Sequence, residues 1–191
     1  MSDSRISLRP LTSAALPLIT TVVADRYTGR FLGGPAWPAQ MLALAGRSAG
    51  TIFRGARPID SHHYLALGDG TPAGYIDCGT FDRCTAYGGE GPDGPAILET
   101  IDAVTGAIAF VIAPELRGRG LRPAMIAAML ARSELRDVEL FEAGVEPQNT
   151  ASRHCLETAG FEQGSARPDV EGMLYDRIWR RDLAGRGRRS L

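Results

Sequence analysis

The first half of the chain alternates between short hydrophobic patterns and turn residues. Ile6 and Leu8 fall on one face of a strand, and the apolar positions that follow have the spacing of an amphipathic helix. Clustered Gly and Pro between 25 and 50 favour loops. The predicted elements are, in order, a strand at 5–9, a helix from Thr12 or Ser13 to about Val23, a short helix near Gln40–Ala45, and a hairpin of His63–Leu67 and Gly74–Phe81 around the turn Asp69-Gly70.

The second half begins with a Gly-, Pro- and acid-rich segment, Arg83 to Pro95, for which we predict a long surface loop. Apolar strands and amphipathic helices then alternate to the end of the chain. The predicted elements are a strand at Ala103–Ala113, a helix from Gly118 to about Leu135, a strand at Val138–Val145, a helix at Asn149–Ala159 closed by Gly160, a strand at Met173–Trp179, and an Arg-rich, frayed tail from Arg180 to Leu191.

The order strand, turn, helix, strand, helix from Ala103 to Phe161 predicts one parallel strand pair joined by a crossover helix. Hairpins before it and a strand after it make the predicted sheet mixed. The predicted fold class is therefore α+β, a mostly antiparallel sheet with one parallel pair, flanked by helices. We expect residues 1–180 to form a single domain and 181–191 to be a flexible tail.

Composition excludes several classes of function. The formal net charge of the 191 residues is −1, which argues against general nucleic-acid binding, and all 21 basic residues are Arg. No apolar run approaches the roughly 20 residues that span a bilayer. Three cysteines without paired spacing indicate neither a disulfide framework nor a zinc site, and adjacent His62 and His63 would point to opposite faces of a strand. We expect a cytoplasmic protein without metal or membrane partner, a monomer or homodimer.

A turn rich in glycine and arginine follows the predicted strand that ends before Pro114. The sequence Arg117-Gly118-Arg119-Gly120-Leu121-Arg122 places two glycines and three arginines where a helix begins. The first backbone amides of a helix lack internal partners, and the helix dipole makes that end partly positive. Glycines let a phosphate approach the backbone closely, so this segment predicts an anion site.

At these residues the chain resembles the GNAT acetyltransferases, whose signature is Arg/Gln-x-x-Gly-x-Gly/Ala after a strand. Arg122 stands where that signature has a small residue, and Pro123 biases Arg122 away from helical dihedrals. The resemblance implies a GNAT fold with acetyl-CoA as co-substrate. It implies that the pantetheine arm pairs with the strand at Phe110, Val111 and Ile112. It implies that the pyrophosphate binds at the turn formed by Arg117, Gly118, Arg119, Gly120, Leu121 and Arg122.

A second segment strengthens this resemblance. The family's second motif resembles the segment Asn149-Thr-Ala-Ser152 followed by Leu156-Glu-Thr-Ala-Gly-Phe161. The residues of this segment are most similar to those of enzymes that acetylate ribosomal-protein N-termini and of related small-molecule resistance enzymes. Asn149 and Ser152 have two compatible interpretations, helix capping and coenzyme contact.

The resemblance implies direct acetyl transfer in a ternary complex, for which the acid and base stay open. Relatives place a Tyr acid where this chain has Leu156, so Tyr175 is the substitute, with Ser152 and Cys155 as weaker candidates. For the base, Glu99 is the first candidate, beside Asp102 and Glu142. We expect the acceptor pocket to form from residues 24–59 and 83–101.

The predicted function is acetyl-CoA-dependent N-acetylation of a primary amine on a small molecule or a peptide N-terminus. The alternative is a non-catalytic acyl-CoA-binding module. Two features favour it: Leu156 stands where relatives have the Tyr acid, and Arg122 stands where the signature has a small residue. A toxin that acetylates aminoacyl-tRNA is a third hypothesis, which the near-neutral charge argues against.

Overall fold

A computed structural model describes residues 6–23, 34, 36–44 and 52–186. Its strands are β1 (Ile6–Pro10), β2 (Pro58–Gly68), β3 (Thr71–Phe81), β4 (Cys84–Gly91), β5 (Gly94–Ile101), β6 (Thr105–Ile112), β7 (Leu140–Val145), β8 (Glu162–Gln163) and β9 (Leu174–Trp179). Its α-helices are α1 (Leu16–Val23), α2 (Trp37–Leu44), α3 (Leu121–Leu130), α4 (Thr150–Ala159) and α5 (Arg180–Arg186).

Seven strands form one sheet in the order β1-β2-β3-β6-β7-β9-β8, and β4 and β5 form a separate hairpin. The parallel pair is β6 with β7, registered at Thr105↔Leu140, Gly106↔Phe141 and Ala107↔Glu142. The outer pairs β1–β2, β7–β9 and β8–β9 are antiparallel. The predicted α+β fold with one parallel pair is confirmed.

Contacts divide the chain into two compact units. The first comprises Met1–Arg47, Ser61–Cys78 and Ala109–Ser133. Its core joins Ile19, Leu65, Tyr75 and Val111, and Trp37 meets the Tyr75 ring edge-on with centroids 5.2 Å apart. Burial of these large apolar side chains is the main stabilising contribution in this unit.

The second unit comprises Ser48–Asp60, Gly79–Ile108 and Glu134–Leu191. Here buried Cys84, Ala103 and Leu140 pack with half-buried Trp179. The guanidinium of Arg180 donates to the carbonyls of Leu135 and Val138, which fixes the segment that enters β7.

Two predictions about local structure were wrong. The segment Arg83–Pro95 is not a surface loop but most of the hairpin β4–β5, whose strands meet at Gly91↔Gly94 around Pro92-Asp93. The helix predicted from Gly118 begins at Leu121 and ends at Leu130. The segment from Arg180 begins as α5, which extends to Arg186; the rest of the predicted tail lies outside the described residues, and its flexibility stays a prediction.

Most remaining boundaries agree with the sequence to within a few residues. The helix expected from Thr12 or Ser13 starts as a 3-10 turn at Ser13–Ala15, and Thr12 makes no side-chain capping bond. The predicted helix near Gln40–Ala45 is α2, although Ala45 itself lies outside the described residues. Across the described ranges, every helix is too short or too polar to traverse a lipid bilayer.

Candidate active site

The turn after β6 is shaped by two glycines with left-handed backbone conformations. A short 3-10 turn, Pro114–Leu116, precedes an extended Arg117. Gly118 and Gly120 then adopt φ values of 74° and 73°, and Gly120 is the N-cap of α3. Side chains are disfavoured at such φ values, which explains glycine at both positions. The space beside each Cα is open within 4 Å, so a ligand can approach this backbone.

The electrostatics of this turn suit an anion. The first amides of α3, a helix of ten residues, face out of its N-terminus, and Arg117, Arg119 and Arg122 flank it. Arg122 and Pro123 both lie in the first turn of α3, so Arg122 is helical despite the proline that follows it. Proline is tolerated in the first turn because residues there need no intrahelical backbone donor.

The strand before the turn is held tightly by β3. A Cβ placed on Gly74 would lie 2.2 Å from the Val111 carbonyl oxygen, so only glycine permits this approach. The Ala113 amide donates to the Ala73 carbonyl at 2.8 Å. Val111 and Ile112 are buried and Phe110 is half-buried. The predicted pantetheine strand is therefore a fixed element of the fold.

A buried hydrogen-bonded chain ends on the same strand. The Tyr75 hydroxyl donates to Asp77 Oδ2 at 2.8 Å, and His63 Nδ1 lies 2.8 Å from the Tyr75 oxygen. Ser61 Oγ lies 2.6 Å from His63 Nε2. Because the Tyr75 proton goes to Asp77, its oxygen can accept from Nδ1–H, which leaves Nε2 to accept from Ser61. The Asp77 carboxyl also accepts from the Ala109 amide of β6.

Asp77 is the carboxylic acid of this chain of groups, and its pKa is strongly raised. Burial raises the pKa of Asp77 from its ordinary 3.8 to about 7, although the hydrogen bonds from Tyr75 and from the Ala109 amide favour the charged form. Burial, and then the Asp77 charge, also raise the pKa of Tyr75. Sequence reasoning missed this group, since a single Asp within an apolar strand pattern carries no motif.

Helix α4 is capped as the sequence predicts. Asn149 is its N-cap, and its Oδ1 accepts from the Ser152 amide at 3.3 Å. Gly160 closes the helix with φ 97°, in the left-handed region that a C′ glycine takes. Leu156, the position where relatives have Tyr, is fully buried, and so is Cys155 at 5% exposure. The coenzyme contacts of Asn149 and Ser152 stay predictions.

A cavity of about 140 Å³ opens in the second unit, and Glu142 is the carboxylate among its lining residues. Thr105 and Ala107 of β6 also line it. Glu142 Oε2 accepts from the Cys84 thiol at 3.1 Å and from Arg177 Nε at 3.3 Å. Neither bond uses Oε1. Burial, and then the Glu142 charge, raise the pKa of Cys84 to about 12, so this cysteine is a thiol donor at neutral pH.

Tyr175 lines the same cavity and also an adjoining one of about 380 Å³. Its hydroxyl donates to Asp169 Oδ2 at 3.1 Å. Burial, followed by the Asp169 charge and this hydrogen bond, raises the pKa of Tyr175. The phenol therefore keeps its proton at neutral pH.

The other two predicted bases, Glu99 and Asp102, are more exposed to solvent than Glu142. Glu99 lines the larger cavity, is 59% exposed, and lies 3.8 Å from Arg177 Nη1. Asp102 is 89% exposed and lies 4.0 Å from Arg83 Nη1. Residues of the segments 24–59 and 83–101, where we expect the acceptor pocket, line these two cavities, among them Phe53, Thr85 and Glu99. The part before 52 lies mostly outside the described residues.

A sequence profile described as an acetyltransferase (GNAT) domain matches residues 5–162. The chain belongs to the GNAT acetyltransferase family. It is a GNAT-type N-acetyltransferase, a family that uses acetyl-CoA as co-substrate. No curated protein matches the sequence.

Solved structures with the same fold include several GNAT enzymes. Aminoglycoside acetyltransferase AAC(6')-Ib in complex with coenzyme A has a TM-score of 0.68 at 20% identity, with 95% of this chain and 98% of that chain covered. Aminoglycoside N(6')-acetyltransferase from Legionella pneumophila has a TM-score of 0.65 at 15% identity, with 97% and 98% covered. Spermidine N-acetyltransferase from Vibrio cholerae, with CoA and spermine, has a TM-score of 0.62 at 14% identity, with 94% and 98% covered.

These likenesses confirm the GNAT fold for this chain. The resemblance to the branch that acetylates ribosomal-protein N-termini is not confirmed, since the similar structures are aminoglycoside and spermidine enzymes. The turn Arg117–Arg122 of this GNAT protein fits the coenzyme that the family uses. It combines a helix N-terminus, open space beside Gly118 and Gly120, and three arginines, and this combination suits a pyrophosphate.

Proposed function

We propose that this GNAT enzyme transfers the acetyl group of acetyl-CoA directly to a primary amine of a small molecule or a peptide N-terminus. The observation that carries the proposal is the arrangement along β6. Thr105 and Ala107 line the Glu142 cavity, and the same strand continues to Phe110–Ile112 and then to the turn Arg117–Arg122. The strand β6 thus contains both lining residues of the proposed acceptor site and predicted coenzyme residues.

In this proposal the turn holds the pyrophosphate. The first amides of α3 face out of its N-terminus, the space beside Gly118 and Gly120 is open, and Arg117 and Arg122 add positive charge. A backbone amide of β6 near Phe110–Ile112 would polarise the acetyl carbonyl. When bound, acetyl-CoA supplies the thioester carbonyl that the amine attacks.

Glu142 is the group that we propose as the base. An amine acceptor titrates near about 10, so most of it arrives as ammonium and must lose a proton. Glu142 is only 14% exposed in its side chain, against 59% for Glu99, and its Oε1 accepts from neither Cys84 nor Arg177. The sequence-predicted Glu99 would then act through Arg177, which lies 3.8 Å from it and donates to Glu142.

Tyr175 is the acid of this proposal. The amine nitrogen forms a bond to the acetyl carbon, the carbon–sulfur bond breaks, and the sulfur takes a proton. Tyr175 lines the Glu142 cavity and stays protonated at neutral pH, so its hydroxyl can supply that proton. Ser152 remains the second predicted donor.

Two carboxylate variants test the assignment of the base. Glu142→Gln should lower kcat/KM about 10²–10⁴-fold for every accepted amine, whereas Glu99→Gln should stay within a few-fold of wild type. Turnover is measured as free thiol released from acetyl-CoA with a panel of amines, and coenzyme affinity by calorimetry should be unchanged in both. Equal losses in the two variants would contradict the assignment. Thiol release from the wild type with no amine of the panel would contradict the proposed function.

A further inference from the structure

The walls of the Glu142 cavity are largely aromatic. Phe53, Phe81, Tyr87 and Tyr175 all line it. Phe53 and Phe81 stack with ring centroids 6.3 Å apart. Aromatic walls contribute affinity through buried apolar area and offer few directed polar contacts. The cavity therefore suits an apolar group beside one polar anchor.

Exposed apolar side chains continue this surface outwards. Leu98 is 76% exposed and Val170 60% exposed, and both line the adjoining larger cavity, while Phe53 is 53% exposed. The two cavities share Thr85, Tyr87 and Tyr175. Grouped exposed apolar residues indicate a binding surface, because leaving them in water contributes nothing to folding.

The carboxylates at these cavities already have partners. Of the described residues, three acids line them. Glu142 Oε2 accepts from Cys84 and Arg177, and Glu99 pairs with Arg177. Asp169 accepts the Tyr175 hydroxyl at 3.1 Å through Oδ2, and the amides of Glu171 and Met173 at 2.9 Å each through Oδ1. Oε1 of Glu142 takes part in neither of these bonds, so it can receive a cation at the smaller cavity.

Positive charge also faces the acceptor space. Arg54 and Arg83 line the smaller cavity, and Arg167 and Arg177 the larger one. Four arginines and three carboxylates line the two cavities; of the arginines, Arg54 also binds Glu171, and Arg83 donates to Asp82 at 3.2 Å. A ligand with several ammonium groups would bring like charges within a few ångströms of these guanidiniums, which is unfavourable in a partly desolvated site.

Arg54 is held at the cavity by an unusual backbone. Phe53 and Ala56 bridge across a tight turn in which Arg54 has φ 50° and Gly55 φ 85°. A left-handed conformation is uncommon for a residue other than glycine, and such strain clusters at functional positions. The guanidinium of Arg54 lies 4.9 Å from the Phe53 ring centroid and 5.1 Å from that of Tyr87, and it also binds Glu171.

We propose that the acceptor is a small monoamine with an apolar body, and that polyamines and amino sugars with several ammonium groups are poor acceptors. The single ammonium meets Glu142 Oε1, and the body packs against the aromatic wall and reaches toward Leu98 and Val170. This inference rests on the proposed function of the same site. It separates this chain from the aminoglycoside and spermidine enzymes that share its fold.

The first experiment compares acceptors on the wild-type enzyme. Thiol release from acetyl-CoA is measured with 2-phenylethylamine, methylamine, spermidine and kanamycin. We expect kcat/KM for 2-phenylethylamine to exceed that of each of the other three at least tenfold, on the scale of a buried apolar group. A higher kcat/KM for spermidine or kanamycin would overturn the inference while leaving the N-acetyltransferase activity intact. Release with none of the four would also overturn the inference, and release with no small amine and no peptide N-terminus, in an enzyme that binds acetyl-CoA, would refute the proposed function itself.

Two variants test the apolar wall. Leu98→Ser should lower the ratio of kcat/KM for 2-phenylethylamine to that for methylamine severalfold. Ile59→Ser is the matched control, because Ile59 is 58% exposed and does not line either cavity. An equal fall in both variants, or no fall in either, would contradict the placement of the body.

A third variant tests the charge. Arg54→Asn removes the guanidinium and its bond to Glu171, and asparagine accepts the left-handed conformation of this turn more readily than arginine. We expect kcat/KM for spermidine to rise relative to that for 2-phenylethylamine by about fivefold or more, the scale of one close charge pair. An unchanged ratio in a variant with wild-type melting behaviour would show that Arg54 does not select against polycations.

Discussion

The Tyr75 hydroxyl donates a hydrogen bond of 2.8 Å to Asp77, and the same carboxyl accepts the Ala109 amide of β6. Asp77 is only 8% exposed, and His63 Nδ1 lies 3.9 Å from its Oδ2. The acid is thus anchored to the strand that continues into Phe110–Ile112. We therefore expect the protonation of Asp77 to change both the free energy of unfolding of the protein and the rigidity of β6.

We predict that Asp77 makes the protein less stable as pH rises from about 4 to 7. Its pKa is about 7 in the folded state against an ordinary 3.8, so the folded state binds the extra proton across this window. The free energy of unfolding then falls with rising pH and levels off above 7. In Asp77→Asn this component is absent, so the free energy of unfolding of the variant, relative to that of the wild type, should rise by roughly 4 kcal/mol between pH 4 and 8.

Urea unfolding at several pH values measures this effect. Asp137→Asn is the control, since the Asp137 side chain is 86% exposed. Parallel curves for wild type and Asp77→Asn would show that Asp77 titrates near its ordinary pKa in the folded protein.

Replacing Gly120 by Val should abolish coenzyme binding with the fold retained. The position has φ 73° and open space beside it, so the change obstructs ligand approach and adds backbone strain of about 1–2 kcal/mol. Gly70→Val is matched in conformation, with φ 83° and equally open space, but lies in the β2–β3 turn. Calorimetry with acetyl-CoA and circular dichroism distinguish the two. Normal binding by a folded Gly120→Val would place the coenzyme elsewhere.

Arg122 should contribute to phosphate binding. Arg122→Ala should weaken coenzyme affinity by about 1–2 kcal/mol, the scale of one charge-assisted hydrogen bond, and the loss should shrink at high salt. Arg136→Ala, at a side chain 80% exposed, should leave affinity unchanged. Tighter binding by Arg122→Ala would identify the arginine as an obstruction in the turn.

Tyr175→Phe should lower turnover roughly 10²–10⁴-fold with little change in coenzyme affinity, because the ring stays and the proton donor is lost. Since the pKa of Tyr175 is raised, the wild-type alkaline limit should lie above the ordinary tyrosine range and vanish in the variant. Tyr87→Phe is the matched control: Tyr87 lines the same cavities, and its hydroxyl also donates to a carboxylate, Glu90, at 2.7 Å. If both variants keep turnover within a few-fold of wild type, the donor is Ser152 or water.

Features whose chemistry is local were readable from the sequence. The glycines of the turn after β6, the Asn149 cap and the terminal Gly160 each follow from backbone conformations that few residues adopt, and the structure has all three. The succession strand, turn, helix, strand likewise determined the parallel pair, because a crossover helix leaves little alternative.

Tertiary structure decided the rest. The hairpin β4–β5 was missed because its glycines and acids suit a loop until Leu98 packs over Gly88, where a Cβ would lie 2.8 Å from the leucine side chain. The Cys84 thiol donates a hydrogen bond to Glu142, which lies 58 residues later in the sequence. The pKa of Asp77 is raised mainly by burial, which the residue type does not determine. Such contacts and desolvation arise only when distant strands pack, and no local pattern encodes them.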